Sequence, residues 1–248
     1  MIAVELKSRA GNQMFQLATA YHLANVTNQE LVLKENGSAD YTKYPIILEG
    51  RNTIKDIHGF HIVEEPLNQS LVNLEEISKA HKNILLKGYW QSDKYFDRED
   101  AETLFPIPDY IKDKYASFEG LCCLSVRRGD YVSLNGFICP SIEWYEHCYN
   151  KYFDGMQIVA ASDDIPWCKE HINFGTPIFL DASPIETLFA KAMCKHHIIA
   201  PSSFAWWSAY LSGADSIVVA PTPWFNGQLS HLNQTDKYCQ NWIKEPLI

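Results

Sequence analysis

The sequence predicts an α/β protein built on parallel sheets. In the second half of the 248-residue chain, apolar segments of strand length alternate with helical segments at least four times, which is typical of a parallel sheet with crossover helices. The first half shows a looser version of the same alternation. Polar turns that contain glycine or serine follow several of the predicted strands, and open parallel sheets bind their ligands at such strand ends.

The chain is long enough for two small domains. A charged, mostly helical segment with two prolines, residues 97–120, is the best candidate for a linker between them. We therefore predict an N-terminal α/β domain over residues 1–115 and a C-terminal α/β domain over residues 116–248.

The composition restricts the classes of function. Apolar residues make up 46% of the chain and charged residues 21%, as in an ordinary soluble globular protein. The formal net charge of -9 argues against nucleic-acid binding and against binding to anionic membranes. A phosphate site would therefore have to be local, built from a few cations within an acidic protein.

The seven cysteines indicate a cytoplasmic protein with reduced thiols, because they show neither CxxC pairs nor a zinc-like spacing with histidine. The chain starts with a strand-like segment instead of a signal peptide, and no apolar run is long enough to span a bilayer. His58 and His61 lack a third ligand, so we predict no metal site.

The first half is predicted to contain short strands and two helices. An apolar strand at 1–6 leads into a helix within 7–27, whose apolar side chains recur at helical spacing. The other predicted elements are a strand and turn at 30–40, short strands at 44–48 and 58–66, a helix at 74–82 and a strand within 83–96.

Two polar clusters follow strands in this half. Gly11 lies where the first strand should turn into the first helix, and Asn12 and Gln13 add hydrogen-bond donors. Such a turn suits a phosphate or a sugar hydroxyl, although an ordinary βα turn has the same pattern. Gly88 to Ser92 form an aromatic and polar cluster that could line a carbohydrate site, pack between domains, or do both.

The second half alternates more regularly. Its predicted strands lie at 121–126, 156–162, 176–180, 197–200 and 216–225, and its predicted helices at 140–153, 167–172, 183–196 and 203–212. Ser183 is predicted to cap the third of these helices, with Glu186 at the capping-box position.

The central motif follows the apolar strand at 121–126. Arg127 and Arg128 come directly after this strand, and Gly129 and Asp130 form the turn. Two guanidinium groups at a strand end match phosphate oxygens. The alternative is a structural ion pair between an arginine and Asp130 or another carboxylate.

Two further strand ends carry polar groups, namely Ser162–Asp164 and the pair Ser202 and Ser203. Because parallel strands share one carboxyl edge, a single ligand could contact these groups and the arginines together. The serine turn opens a helix and offers N–H groups to a phosphate, while Asp163 or Asp164 could bind a ribose hydroxyl. The three strand ends therefore predict a site for a nucleotide diphosphate.

Five motifs occur in one order along the chain: GNQMFQ, GYWQS, RRGDY, SDD and CKHHIIAPSSFAWWSAYL. Together they resemble glycosyltransferase family 11, the α-1,2-fucosyltransferases, from residue 11 to residue 211. The resemblance implies a GT-B fold of two Rossmann-like domains with a cleft between them, the first domain binding the acceptor and the second the nucleotide sugar. It also implies GDP-fucose as donor, inverting transfer to the 2-hydroxyl of a galactoside, and no metal or other cofactor.

The resemblance also implies roles for individual residues. Arg127 matches the arginine that grips the donor diphosphate, and Arg128 supports its loop. The other matches are Ser202, Ser203 and Phe204 in the second phosphate-binding turn, and Gly11, Asn12 and Gln13 in the N-terminal loop that faces the cleft.

Four positions depart from the family pattern. Ser125 replaces the usual histidine, and Thr187 replaces a usual acid, with Glu186 adjacent. In related fucosyltransferases a histidine and an acid at about these places hold the guanine ring, so Ser125 and Glu186 are the candidates for that contact here. The other two replacements are Pro201 and Ala205.

The expected mechanism centres on a leaving diphosphate. Arg127 and the serine turn would stabilise the negative charge that develops as the anomeric C–O bond breaks. Asp130 or Asp163 would accept the proton of the attacking acceptor hydroxyl. Asp163 and Asp164 also resemble a DxD metal motif, but their spacing and the fold class argue against a metal.

Two alternatives remain open. The same fold and chemistry could use another nucleotide sugar, because Ser125 and Thr187 depart from the pattern, or the chain could be an inactive relative that only binds nucleotide or sugar. The predicted partners are a nucleotide sugar and a glycan acceptor, without nucleic acid and with peripheral membrane contact where the acceptor is lipid-linked. The sequence does not indicate the acceptor or the oligomeric state.

Overall fold

Two parallel sheets organise the chain, one in residues 1–106 (unit 1) and the other in residues 107–248 (unit 2). The computed structural model describes residues 1–34, 51–66 and 71–248. Each unit is an α/β half, and the boundary between the units, at 106/107, lies before the predicted 115/116 and inside the segment at 97–120.

Unit 1 is built around its first strand. Its elements are β1 (Ile2–Glu5), α1 (Ala10–Val26), β2 (Leu31–Lys34), β3 (Thr53–Ile54), β4 (His61–Glu64), α2 (Leu74–Ala80), β5 (Ile84–Lys87) and α3 (Arg98–Leu104). Within the described residues of this unit, the parallel strands lie in the order β3-β2-β1-β5-β4. Ile2, Ala3 and Val4 of β1 have no exposed surface, as expected for a central strand covered on both faces. The predicted strand at 44–48 lies outside the described residues.

The turn between β1 and α1 differs from the prediction. Gly11 does not form it, because α1 begins at Ala10 and Gly11 belongs to the first helical turn. The residue with left-handed backbone is Ser8, whose φ is 67°. Arg9 then adopts extended backbone angles as the residue before the helix. The chain therefore changes direction before the glycine and not at it.

Unit 2 is built around the strand that precedes the two arginines. Its elements are α4 (Asp109–Lys114), β6 (Cys122–Val126), α5 (Ile142–Tyr152), β7 (Ile158–Ser162), α6 (Ile165–His171), β8 (Ile178–Leu180), α7 (Pro184–Ala192), β9 (His196–Ile199), α8 (Ser203–Leu211), β10 (Val218–Thr222) and β11 (Ile243–Pro246). Among the described residues of this unit, the parallel strands lie in the order β11-β10-β9-β6-β7-β8. Cys122 and Leu124 of β6 belong to one core cluster with Trp144 and Tyr145 of α5.

The segment at 97–120 contains the boundary between the two units, as predicted for a linker, but the helices on either side of the boundary are packed. Its first helix, α3, packs in unit 1, where Asp100 Oδ2 lies 2.7 Å from His22 Nδ1 of α1. Its second helix, α4, packs in unit 2, where Lys114 Nζ lies 2.6 Å from Glu186 Oε1 of α7. The charges that suggested a solvated linker are therefore used to attach each helix to its own unit.

The end of the chain forms a strand that the sequence does not predict. Ile243–Pro246 form β11, which pairs with β10. Glu245 of this strand is 7% exposed and accepts hydrogen bonds from Tyr152 (2.6 Å), Lys151 (2.9 Å) and His147 (2.9 Å, through Nε2). These donors all lie on α5, so a buried carboxylate fixes the last strand to the first helix after the arginine turn.

Ser183 occupies the predicted N-cap position of α7, but the predicted capping hydrogen bonds are absent from the described structure. Glu186 contacts Lys114 and Tyr115 instead.

All seven cysteines, each within the described part of the chain, are free thiols. None of the helices in the described ranges combines the length and the apolar character needed to cross a bilayer.

Candidate active site

The polar groups after β6, β7 and β9 lie on one edge of the sheet of unit 2. Val126 pairs with Ser162 and Ser125 pairs with Ile199, so the three parallel strands end at nearly the same level. Arg127, Asp163 and the serine turn follow these ends. The sequence-based expectation that the three strand ends share one edge is therefore met.

Arg127 lies between two aspartates. Its Nη1 is 2.8 Å from Oδ2 of Asp163, and its Nη2 contacts Oδ1 of Asp130. The guanidinium carbon also lies 4.9 Å from the centre of the Tyr131 ring. The third guanidinium nitrogen, Nε, is buried and finds no acceptor in residues 1–34, 51–66 or 71–248. The ion pair that the sequence left as an alternative is thus present, but it leaves one donor of Arg127 unsatisfied.

Arg128 supports the same turn from the other side. Its Nε lies 3.3 Å from Oδ2 of Asp164, and its guanidinium carbon lies 3.9 Å from the centre of the Trp167 ring, a cation–π contact. Its backbone N–H donates to Oδ1 of Asp163 at 2.9 Å. Asp163 therefore uses both carboxylate oxygens to hold the arginine turn.

Gly129 is required by the close approach of Asp163. Its φ is +25°, and a Cβ atom at this position would lie 2.3 Å from Oδ2 of Asp163. Any side chain here would displace the carboxylate that pairs with Arg127. The glycine thus allows the turn and the aspartate to occupy adjacent space.

This cluster is not a net positive pocket. The two guanidinium groups of Arg127 and Arg128 carry a charge of +2, and the carboxylates of Asp130, Asp163 and Asp164 carry -3, which leaves -1 for the five groups. The local excess of cations that the sequence suggested is therefore absent from these five residues. An anion that binds here competes with these carboxylates for the two arginines, with Nε of Arg127 as a donor that is still unsatisfied in the described residues.

The serine turn opens the helix α8. Ser202 is the residue before the helix, is 8% exposed and has extended backbone angles, and Ser203 and Phe204 are the first two helical residues. The first N–H groups of a helix have no partner within it and suit an anion. In the described structure the Ser202 hydroxyl makes no capping bond to these groups.

The two candidates for the guanine contact lie in different surroundings. Ser125 is 3% exposed, and its Oγ lies 3.6 Å from Sγ of Cys123 inside unit 2. Glu186 accepts from Lys114 Nζ at 2.6 Å and from Tyr115 OH at 2.8 Å, and these hydrogen bonds lower the pKa of Glu186. Glu186 is thus already charged and paired, whereas Ser125 belongs to the interior.

The N-terminal motif forms a hydrogen-bonded corner in unit 1. Asn12 Nδ2 donates to Ser8 Oγ at 2.8 Å, and Asn12 Oδ1 accepts from Gln91 Nε2. Gln13 Nε2 donates to the Ser8 carbonyl at 2.9 Å. The two polar clusters of the first half, GNQ and GYWQS, are therefore joined through Asn12 and Gln91.

Trp90 of the second cluster is a core residue. It has no exposed surface, and its ring lies edge-on to Tyr95 with centroids 5.3 Å apart. Its φ of 55° is unusual for a bulky residue and turns the backbone after β5. Trp90 therefore packs inside unit 1 and presents no face to a sugar.

The described residues include one three-residue group with metal-ligand atoms close together, His22, Asp97 and Asp100 in unit 1. His22 already contacts Asp100, and the side chain of Asp97 is 80% exposed. Asp163 and Asp164, the residues that resemble a metal motif, contact arginines instead.

Trp167 is the site residue that the sequence did not indicate, although its position three residues after Asp164 places it in the first turn of α6.

Comparison with known proteins identifies the family. The family model described as glycosyl transferase family 11 matches residues 1–246. An α-1,2-colitosyltransferase of Escherichia coli is 27% identical over 293 aligned positions, which cover 98% of each chain. A galactoside 2-α-L-fucosyltransferase of Bos taurus is 25% identical over 254 positions, which cover 89% of this chain and 67% of that protein.

Solved structures support the fold. The fucosyltransferase NodZ from Bradyrhizobium aligns with a TM-score of 0.53 at 13% identity, covering 84% of this chain and 90% of that chain. The heptosyltransferase WaaC of E. coli, solved with ADP, aligns with a TM-score of 0.53 at 10% identity, covering 99% of this chain and 93% of that chain. The predicted GT-B class of two parallel-sheet α/β domains is confirmed. With the family model matching almost its whole length, the chain belongs to glycosyl transferase family 11.

Proposed function

We propose that this glycosyltransferase moves L-fucose from GDP-fucose to the 2-hydroxyl of a galactoside with inversion. The family and the names of the relatives support the α-1,2 linkage, and the GDP-fucose soak of the NodZ crystals supports the donor. The observation that carries the proposal is Arg127, which lies at the end of the central strand with a buried Nε that lacks an acceptor in the described chain.

The donor diphosphate takes the place of one aspartate on Arg127. Asp163 follows β7 and links the ends of β6 and β7, because it contacts the Arg127 guanidinium and accepts the N–H of Arg128, whereas Asp130 belongs to the same turn as Arg127. Releasing Asp163 would therefore break the link between these two strand ends, so we assign the exchange to Asp130. A phosphate oxygen would also satisfy Nε, since a guanidinium binds phosphate through two parallel N–H groups.

The same exchange gives each aspartate a role. When Arg127 turns to the diphosphate, it stabilises the charge on the leaving group as the anomeric C–O bond breaks. Asp130, released from the arginine, accepts the proton of the attacking hydroxyl. Asp163 stays in place and positions Arg127. We therefore assign the base role to Asp130 and a positioning role to Asp163.

We also propose that the transfer needs no metal ion. Asp163 and Asp164 contact Arg127 and Arg128, so the guanidinium groups already neutralise the two carboxylates that a DxD motif would use. A cytoplasmic location, with peripheral membrane contact where the acceptor is lipid-linked, is part of the proposal and is supported by the free thiols.

A second candidate donor is nucleotide-activated colitose, which is L-fucose without its 3-hydroxyl group. It is favoured by the relative named as an α-1,2-colitosyltransferase, which aligns with nearly the whole chain. The chemistry at Arg127 and Asp130 would be the same for both donors.

A donor panel tests the proposal. The purified protein is incubated with a β-galactoside and GDP-fucose, GDP-colitose, GDP-mannose or UDP-galactose, and the product linkage is determined by NMR. We expect an α-1,2-fucosylated product. Transfer from GDP-colitose alone would select the second candidate. Neither transfer nor hydrolysis with any donor would indicate an inactive relative.

A further inference from the structure

Lys191 is a buried cation without a carboxylate partner. It lies in the last turn of α7 and is 3% exposed. Its Nζ lies 4.9 Å from the centre of the Phe204 ring. In the part of the chain that the structure describes, no carboxylate is within ion-pairing distance of Nζ, whereas Lys114 and Lys151 pair with Glu186 and Glu245. A buried charge without a counter-charge is unfavourable and calls for an explanation.

The interior of unit 2 gives this ammonium group little compensation. The groups that interact with it electrostatically are the thiols of Cys123 and Cys194, which are 0% and 1% exposed. His197 pairs with Cys123 in the sheet, and neither of its ring nitrogens has a partner in the described residues. Burial lowers the pKa of Lys191, the two thiols oppose that shift, and Lys191 in turn helps to lower the pKa of the Cys123 thiol.

The ring that Lys191 contacts belongs to the first turn of α8. Phe204 is the second residue of this helix, directly after Ser202 and Ser203. Lys191 therefore contacts a side chain from the end of α8 at which the helix dipole is positive. An anion at the serine turn would compensate both the ammonium and the helix end.

The charge balance of the arginine turn leads to the same conclusion. Three aspartates outnumber Arg127 and Arg128, so those five groups sum to -1. A diphosphate therefore needs positive charge from outside these five groups, and the ammonium of Lys191 contacts Phe204 of the serine turn. Lys191 thus contributes positive charge that no carboxylate in the described structure offsets.

We propose that Lys191 is a positioning residue for the donor diphosphate, acting through the turn formed by Ser202, Ser203 and Phe204. Its ammonium holds the Phe204 ring and adds positive potential to the helix end that receives a phosphate. The inference rests on the proposed function, since it takes the diphosphate of a nucleotide sugar as the anion. Lys191 adds to donor affinity and reduces the stability of the protein without nucleotide.

The test compares Lys191→Met, Lys191→Arg and Lys195→Met. Methionine keeps the length of the stem without the charge, arginine keeps the charge, and Lys195 is an exposed lysine four positions further on. Calorimetry measures binding of guanosine, GMP and GDP, and thermal unfolding measures the midpoint without nucleotide. Steady-state kinetics gives KM for the donor and for the acceptor separately.

We expect Lys191→Met to weaken GDP binding about tenfold, GMP binding less and guanosine binding not at all. The donor KM should rise with the acceptor KM unchanged, and the unfolding midpoint without nucleotide should rise because a desolvated charge is removed. Lys191→Arg should retain most of the GDP affinity, and Lys195→Met should match the wild type.

Two results would overturn the inference. One is unchanged GDP affinity in Lys191→Met with a lower unfolding midpoint, which would make Lys191 a structural partner of the Cys123 thiol. The other is equal weakening of guanosine and GDP, which would place Lys191 at the nucleoside. If Lys191→Met does not fold, Lys191→Gln is measured in the same way. If the wild type binds no nucleotide, the proposed function fails.

Discussion

Arg127 and Asp163 join the ends of two neighbouring parallel strands, with Nη1 2.8 Å from Oδ2 and the two side chains 21% and 28% exposed. The second oxygen of Asp163 accepts the N–H of Arg128. The pair fixes the position of Arg127 relative to the sheet, while Asp130 contacts the same guanidinium from within the turn. The proposed mechanism depends on this difference between the two aspartates.

Replacing Asp130 should separate donor binding from turnover. In Asp130→Asn the carboxylate that competes for Arg127 is removed, so the donor KM should fall. The rate should also fall, roughly 100-fold or more, because the group that accepts the acceptor proton is lost. Steady-state kinetics with GDP-fucose and a galactoside measures both parameters.

The matched variant for this prediction is Asp163→Asn. It loosens Arg127 and leaves the base intact, so the donor KM should rise instead of falling. The opposite result would be a lower kcat and a lower donor KM in Asp163→Asn together with a higher donor KM in Asp130→Asn. It would make Asp163 the base and Asp130 the positioning residue.

Gly129→Ala should reduce activity through Asp163. The new Cβ would lie 2.3 Å from Oδ2, so the carboxylate must move away from Arg127. Gly120→Ala is the control, because its φ of +87° causes comparable backbone strain but the described structure has no atom within 4 Å of the added Cβ. We expect Gly120→Ala to lower stability by about 1–2 kcal/mol with normal turnover per folded molecule. Equal activity of the two variants would contradict the role of Asp163.

Glu245→Gln should destabilise unit 2 by roughly 2–3 kcal/mol at neutral pH, since charge-assisted hydrogen bonds from Tyr152, Lys151 and His147 are weakened. Urea unfolding measures the difference, with the exposed Glu170→Gln as the control. A loss no larger than that of the control would mean that β11 is held by other contacts.

The stabilisation by Glu245 should depend on pH. Burial would raise the pKa of Glu245, but the hydrogen bonds from α5 outweigh this effect and lower it from 4.5 to about 2. A carboxylate whose pKa is lowered by folding stabilises the protein at pH values above its ordinary pKa. This contribution to the free energy of unfolding is lost as the pH falls toward 2. The gap in stability between the wild type and Glu245→Gln should therefore narrow between pH 4.5 and pH 2.

Chelation should leave the transfer unchanged. Asp163 and Asp164 are engaged by arginines, so we expect the same initial rate with EDTA as with added Mg²⁺ or Mn²⁺. A rate that is lost with EDTA and restored by one of these ions would show that a metal ion takes part.

Most elements of the sheets can be predicted because buried parallel strands are continuous apolar segments between turns. The strand β11 is not a continuous apolar segment. Its sequence, Ile243 to Pro246, contains two adjacent charged residues, and Glu245 accepts hydrogen bonds from donors on α5, far away in sequence. The packing of the helices next to the unit boundary could not be predicted for a similar reason, because Asp100 and Lys114 are charged residues that contact other helices.

The sequence predicts those site residues that directly follow the ends of the parallel strands. The convergence of Arg127, Asp130 and Asp163 follows from parallel strands that share an edge. The sequence could not indicate that the aspartates outnumber the arginines there, since pairing depends on side-chain direction. The stacking of Trp167 on Arg128 depends on how α6 is rotated against the sheet, which no local pattern determines.

The central claim is that Arg127 stabilises the leaving diphosphate, and the turnover of Arg127→Ala with GDP-fucose tests it most directly. We expect kcat to fall about 100- to 1000-fold, or ~3–4 kcal/mol, in a variant whose thermal unfolding shows that it is folded. Turnover equal to that of the wild type would contradict the claim and leave Arg127 as a structural partner of Asp130 and Asp163.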